Sequence, residues 1–118
     1  MKFLMIFEAN PSAPPPSPET LARLGAYTEK MLASGKVVLT GGLVRPSRGL
    51  QIKNEGGKVT VTDGPFTESK ELIDGFAVVN VNSREEAIAL STEFLHIAGD
   101  GKGEILQLFE PGGPPPAK

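Results

Sequence analysis

The nine residues Asp63-Gly64-Pro65-Phe66-Thr67-Glu68-Ser69-Lys70-Glu71 hold three carboxylates and one ammonium. A connection that only reverses the chain needs none of these charges. Asp63 is the candidate acid or base, provided that burial or the charge of Glu68 raises its pKa. Glu68 and Lys70 are the candidates to orient it, and Gly64, Phe66, Glu71 and the distant Arg45 are candidate ligand contacts. In a helical turn Glu68 and Glu71 share a face. In an extended segment Glu68 and Lys70 do. A structural account stands beside this chemistry. Asp, Gly and Pro are turn residues, Phe66 then plugs a core, and the charges form a salt-bridged loop. For Glu68, Lys70 and Glu71 the solvated, salt-bridged account is the favoured one, because exposed charge clusters contribute little.

Other chemistry-bearing residues are sparse. Arg45 and Arg48 bracket Pro46-Ser47 and suit an anion, although loop solubility accounts for them equally well. His96 is the one histidine. It stands near the predicted end of a helix, where its charge favours the dipole, and no second histidine supports a metal site. No phosphate-binding glycine loop or nucleophile elbow occurs. The residues therefore imply no metal and no cofactor.

The 118 residues suit one domain able to bury a core without staples. A net charge of −2 and the lack of any basic run argue against nucleic acid. Without cysteine there is no disulfide or thiol chemistry. The opening apolar run, Phe3 to Phe7, is far short of the roughly 20 residues a bilayer span requires. The expectation is a cytoplasmic protein with no membrane contact.

The elements follow from local signals. Lys2–Phe7 is apolar on both faces and reads as a central strand covered on both sides. Asn10–Pro18 is a proline-rich loop. Ser17-Pro18-Glu19 starts a helix and Gly35 stops it, giving Pro18–Ser34 with an apolar face of Leu21, Leu24, Thr28, Met31 and Leu32. Val37–Leu43 is a second strand. Leu50–Asn54 and Lys58–Thr62 flank Glu55-Gly56-Gly57 as a hairpin, and Gly75–Val81 is the next strand. Ser83 and Glu86 form a capping box opening a second helix, whose face is Ala87, Leu90, Ser91, Phe94 and Leu95. Gly99 to Gly103 breaks that helix, and Glu104–Phe109 is the last strand. The domain is 1–110, and 111–118 is a flexible Pro/Gly-rich tail. This order predicts an α+β, ferredoxin-like sandwich with both helices on one sheet face. The other face is then apolar and uncovered. A second copy is the simplest cover, so a homodimer through the sheet face is expected.

Asp63-Gly64-Pro65-Phe66-x-Glu68-x-Lys70-Glu71, the following Leu72-Ile73-Asp74-Gly75-Phe76, Ser83-Arg84-Glu85-Glu86-Ala87-Ile88 and the ending Glu104–Pro111 resemble the DGPF branch of the YCII-related family. The resemblance runs from about Met1 to Pro111. It implies a small bacterial protein whose ferredoxin-like protomers pair into a dimeric α+β barrel. It implies no settled function. The wider group is suspected of catalysis through a helix-one histidine and an aspartate in a cleft. This chain has no histidine there, no acidic residue in Thr40-Gly41-Gly42-Leu43, and Ala77 where relatives often carry an aromatic. These departures favour a homodimeric module that binds a small ligand or a protein. A small cofactor-independent enzyme using Asp63, Glu68 and Lys70 is the alternative. A role in transcription rests only on labels carried by relatives.

Overall fold

The computed structural model describes residues 1–10, 14–43, 49–63, 74–109 and 112. Six strands and two helices run in the order β1 (Lys2–Ala9), α1 (Pro18–Ser34), β2 (Val37–Gly42), β3 (Leu50–Glu55), β4 (Lys58–Asp63), β5 (Gly75–Asn80), α2 (Arg84–Ala98) and β6 (Gly101–Gln107). The main sheet has the strand order β2-β5-β1-β6, and β3 and β4 form a separate two-stranded sheet. Every pairing is antiparallel. The fold is thus α+β, with no closed barrel among the described residues.

The helix ends carry the expected chemistry. The Ser17 hydroxyl accepts from the Thr20 N–H at 3.1 Å, and Gly35 closes α1 at φ 80° with its N–H donating to Leu32. Ser83 caps α2 by accepting from the Glu86 N–H at 3.1 Å. The return half of that box differs from expectation. The Glu86 carboxylate accepts from Asn82, one residue before the cap, also at 3.1 Å.

The core lies between the sheet and both helices. Phe3 from β1, Met31 from α1, Val79 and Val81 from β5 and beyond it, and Ala87 and Leu90 from α2 are buried together. Met5, Tyr27, Val37, Ala77 and Ile105 pack against them. The α1 stripe differs from the sequence reading. Leu21 and Leu32 are exposed, whereas Tyr27 joins Met31 in the packing. Leu24, Tyr27, Thr28 and Met31 keep the 3–4 spacing of one face, and Leu32 lies about 100° round the helix from Met31. The α2 face is as read, with Ala87 and Leu90 buried and Ser91, Phe94 and Leu95 half-buried.

β1 is central, as expected, but among the described residues helices cover only one of its faces. Alternation puts Phe3, Met5 and Phe7 toward the core and Leu4 and Ile6 on the other side. On that open side Leu4 lies opposite both Val78 and Leu106, and Ile6 opposite Phe76. Leu106 and Leu39 are exposed.

The last strand starts earlier than its glycines suggested. Gly101 and Gly103 lie inside β6, opposite Ala9 and Phe7. A Cβ on Gly101 would stand 2.6 Å from the Glu8 carbonyl oxygen, and one on Gly103 2.9 Å from that of Ile6. These glycines allow close approach of β6 to β1 and so continue the strand. Helix α2 ends at Gly99 alone, at φ 97°.

The hairpin joins β3 to β4 through Gly56 and Gly57, at φ 58° and 85°. Positive φ at both central residues is what a type I′ turn demands.

Two glycine substitutions should therefore diverge. Gly103→Ala forces the backbone of β1 and β6 apart and should lower unfolding stability by about 1–3 kcal/mol. Gly25→Ala, in the middle of α1 with nothing within 4 Å of the added Cβ, should raise it by about 0.5–1 kcal/mol. Urea unfolding of both variants gives the two signs.

Candidate functional site

Four strand ends lie together at one end of the main sheet. β1 ends at Ala9, β2 at Gly42, and β5 and β6 begin at Gly75 and Gly101, all at one end of the main sheet. Residues 10–17, 43–49 and 64–74 leave from or return to that end. Arg45 lies in the second segment. Gly64, Phe66, Glu68, Lys70 and Glu71 lie in the third. All six fall outside the described residues. Asp63 is the last residue of β4, where its backbone pairs with Leu50.

The return of the third segment is built around Asp74. Its N–H donates to the Phe7 carbonyl at 2.8 Å, and its own carbonyl accepts from Leu43 at 2.9 Å. Its Oδ2 accepts from the Ala9 N–H at 2.6 Å. Gly75 is the last β5 residue that pairs with β1. The carboxylate thus supplies an acceptor to β1 beyond the end of the β5 ladder, so that no N–H is stranded there. One residue pins β1, β2 and β5 together where residues 64–73 rejoin them.

Glu8 stands at the same end on the open face. Its side chain is only 11% exposed and lies 3.6 Å from the Lys102 ammonium, itself 71% exposed. Gly41 is next to this end as well. The Phe76 ring covers it, 3.2 Å from where a Cβ would be, and Thr40 Oγ1 donates to the Phe76 carbonyl at 2.8 Å. On the helix side, Phe7 meets Phe94 edge to face with centroids 5.2 Å apart.

Sequence reading missed Asp74 and Glu8 as site residues. For Asp74 the available signal was an Asx side chain directly before a Gly-initiated strand. For Glu8 it was a charge continuing the alternation of Leu4 and Ile6. His96 occupies the last turn of α2, exposed, as its sequence position suggested. Among the described residues no group of three or more His, Asp or Glu is placed to hold a metal. No helix among them is long and apolar enough to cross a membrane.

Tyr27 carries the one marked shift among the described groups. Burial first, then the charge and hydrogen bonding of Glu93, push its pKa up to about 12. Its hydroxyl donates to the Leu90 carbonyl at 3.2 Å and ties α1 to α2. This group belongs to helix packing and stands apart from the sheet end.

The model of the YCII-related domain matches residues 1–102. An uncharacterised protein of Rhizobium meliloti is 30% identical over 92 residues, covering 75% of this chain and 74% of its own length. The chain belongs to the YCII-related domain family.

Two measurements check these roles. Asp74→Ala strands the Ala9 N–H and should cost about 1–3 kcal/mol. Asp74→Asn keeps an acceptor and should lose about half as much, since a charge-assisted bond is roughly twice as strong as a neutral one. Tyr27 is the chain's single tyrosine and there is no tryptophan, so tyrosinate absorbance reads it alone. It should titrate near the value of about 12, above the 10.0 of an unhindered tyrosine. The folded state then holds the proton more tightly than the unfolded state. Stability should be unaffected below pH 10.0 and fall as pH rises from there to about 12. In Tyr27→Phe that slope disappears.

Proposed function

We propose that this protein is a cytoplasmic homodimer of ferredoxin-like protomers, of the DGPF branch of its family, that binds a small polar ligand where residues 63–71 rejoin the sheet. The observation that carries the reading is the convergence at the Ala9 end. Residues 43–49 and 64–73, which include every candidate ligand residue except Asp63, connect to the strands at that end, and Asp74 fixes the return of the second to three strands at once. The strand order β2-β5-β1-β6 supports the ferredoxin-like assignment. Pairing of two open faces, through Leu4, Ile6, Phe76 and Val78, accounts for an apolar sheet surface that the helices leave bare. Such a pairing gives a dimeric α+β barrel with a ligand end on each protomer. Asp63, Gly64, Phe66, Glu68, Lys70, Glu71 and Arg45 are the residues proposed to meet the ligand.

One observation favours a second reading, a cofactor-independent enzyme using Asp63 as acid or base with Glu68 and Lys70. Glu8 brings a shielded carboxylate to the same end.

Light scattering should give twice the 12.4 kDa chain mass; a particle of single-chain mass would remove the dimer. A thermal-shift screen of small polar metabolites should find a compound that stabilises the protein, less so in Asp63→Asn and Glu8→Gln. A ligand at 100 times its Kd adds about 2.7 kcal/mol, well within the reach of such a screen. A compound that stabilises all three proteins equally takes both residues out of the binding role. Turnover of that compound, lost in Asp63→Asn with binding retained, decides for the enzyme.

A further inference from the structure

All three aspartates of the chain are followed by glycine: Asp63-Gly64, Asp74-Gly75 and Asp100-Gly101. In such a pair the backbone nitrogen of the glycine can reach the aspartate side chain, because no Cβ stands in the way. Gly64 lies outside the described residues. The other two pairs differ in what holds them. Asp74 is fixed at three points, through its N–H to Phe7, its carbonyl to Leu43 and its Oδ2 to Ala9. Met1 and Val81 bond each other in both directions, so every second pair along β1 and β5 is of the same kind. Phe7 and Gly75 are such a pair, and the Gly75 N–H points at β1.

Asp100-Gly101 is the opposite case. Asp100 is exposed, and among the described residues its carboxylate has no hydrogen-bond or ion-pair partner. Its backbone is held by one long bond, the carbonyl accepting from Asn10 at 3.4 Å. That bond and the one from Leu108 to Lys2 put the even-numbered residues of β6 in the bonded pairs with β1. The Gly101 N–H therefore faces away from β1. β6 is an edge strand, so no strand among the described residues receives that N–H. Nor can the glycine be exchanged. A Cβ there would stand 2.6 Å from the Glu8 carbonyl oxygen and 2.8 Å from the Phe7 ring. The packing that requires glycine at 101 leaves Asp100 beside a bare, unpaired amide.

We propose that Asp100 is a modification site, at which the folded chain converts its own aspartyl–glycyl link into an isoaspartyl one. The Gly101 nitrogen attacks Cγ of the protonated Asp100 carboxyl. A C–N bond forms, and the carboxyl hydroxyl leaves with the proton of that nitrogen as water, giving a cyclic succinimide. Water then adds to the main-chain carbonyl carbon of Asp100 and breaks its bond to the Gly101 nitrogen. Gly101 stays attached through Cγ, and the former backbone carbonyl becomes a free carboxylate. One water leaves and one returns, with no change of oxidation state and no other reactant. The main chain is one carbon longer where β6 enters the sheet, beside the acceptor that Asn10 uses.

The unsubstituted protein is kept folded in mildly acidic buffer. Timed samples are digested and mapped by mass spectrometry, with fragmentation that tells isoaspartate from aspartate. Methyl transfer from S-adenosylmethionine by an isoaspartate-specific carboxyl methyltransferase measures the same product independently. Isoaspartate should accumulate at Asp100 about tenfold or more faster than at Asp74, which has first to give up its three hydrogen bonds. In urea the two rates should come within about two- to threefold of each other, since each site is then an aspartate before glycine in open chain. Equal rates in the folded protein overturn the proposal, as does isoaspartate that forms at Asp100 only in urea. A tenfold excess at Asp100 that persists in urea means that neighbouring sequence sets it and not strand geometry, and this overturns the proposal too. Asp100→Glu keeps the charge at an exposed position and lengthens the side chain past the favoured ring. It should remove the product at position 100 and leave that at Asp74 unchanged. Methyl transfer undiminished in this variant places the product elsewhere and overturns the assignment.

Discussion

The structure depends on β1 lying between β5 and β6. That placement joins the first residues of the chain to its last strand and delivers Phe3 to the core under both helices. The Met1 ammonium donates to the Val81 carbonyl at 2.8 Å, and Val81 donates back to Met1 over the same distance, so the pairing runs to the very start of the chain. Few of these contacts are local. Their loop-closure entropy has to be met by burial along the whole strand. Gly101 and Gly103 set the condition for it, because their missing side chains let β6 approach the β1 backbone. Adding a methyl group there disturbs the pairing on which the core rests.

The same constraint decides what can sit at the Ala9 end. β5 stops pairing with β1 at Gly75, and β1 continues to Ala9 beside β6. The mismatch in strand length leaves an N–H without a ladder partner on the β5 side. Asp74 fills that position with its side chain. The residue that completes the sheet is thus the one that ends the charged segment 64–73. Stability and site geometry are joined in one carboxylate. A change there cannot be assigned to ligand binding without a stability measurement beside it.

Much of this fold was legible because its signals are local. Ser17-Pro18-Glu19 and Gly35 bound α1 at the residues observed. Gly56-Gly57 marked the hairpin turn. The errors fell where distant chain decides. Gly101 and Gly103 read as helix-breaking punctuation because their reason for being glycine is the Glu8 and Ile6 backbone, more than 90 residues earlier in sequence. Tyr27 was passed over for Leu21 and Leu32 because hydrophobicity ranks leucine higher, whereas its hydroxyl has a specific partner on α2. The site was less legible than the fold. Types and spacing picked out residues 63–71, but Asp74 and Glu8 draw their importance from strand register, which no single segment encodes.

Two apolar surfaces remain after the chain has folded, and they are unlike in origin. The open face of the main sheet follows from topology, since two helices of this length cover one side of four strands and no more. That of the hairpin follows from sequence: Leu50, Ile52, Val59 and Val61 share a face with Asn54 and Asp63 and are exposed among the described residues. A hairpin meant only for solvent would gain by replacing Ile52 and Val61 with polar β-formers such as the Thr60 and Thr62 on its other side. Retaining the aliphatic pair exposes the chain to aggregation, and that cost is offset only where a surface is present to receive it.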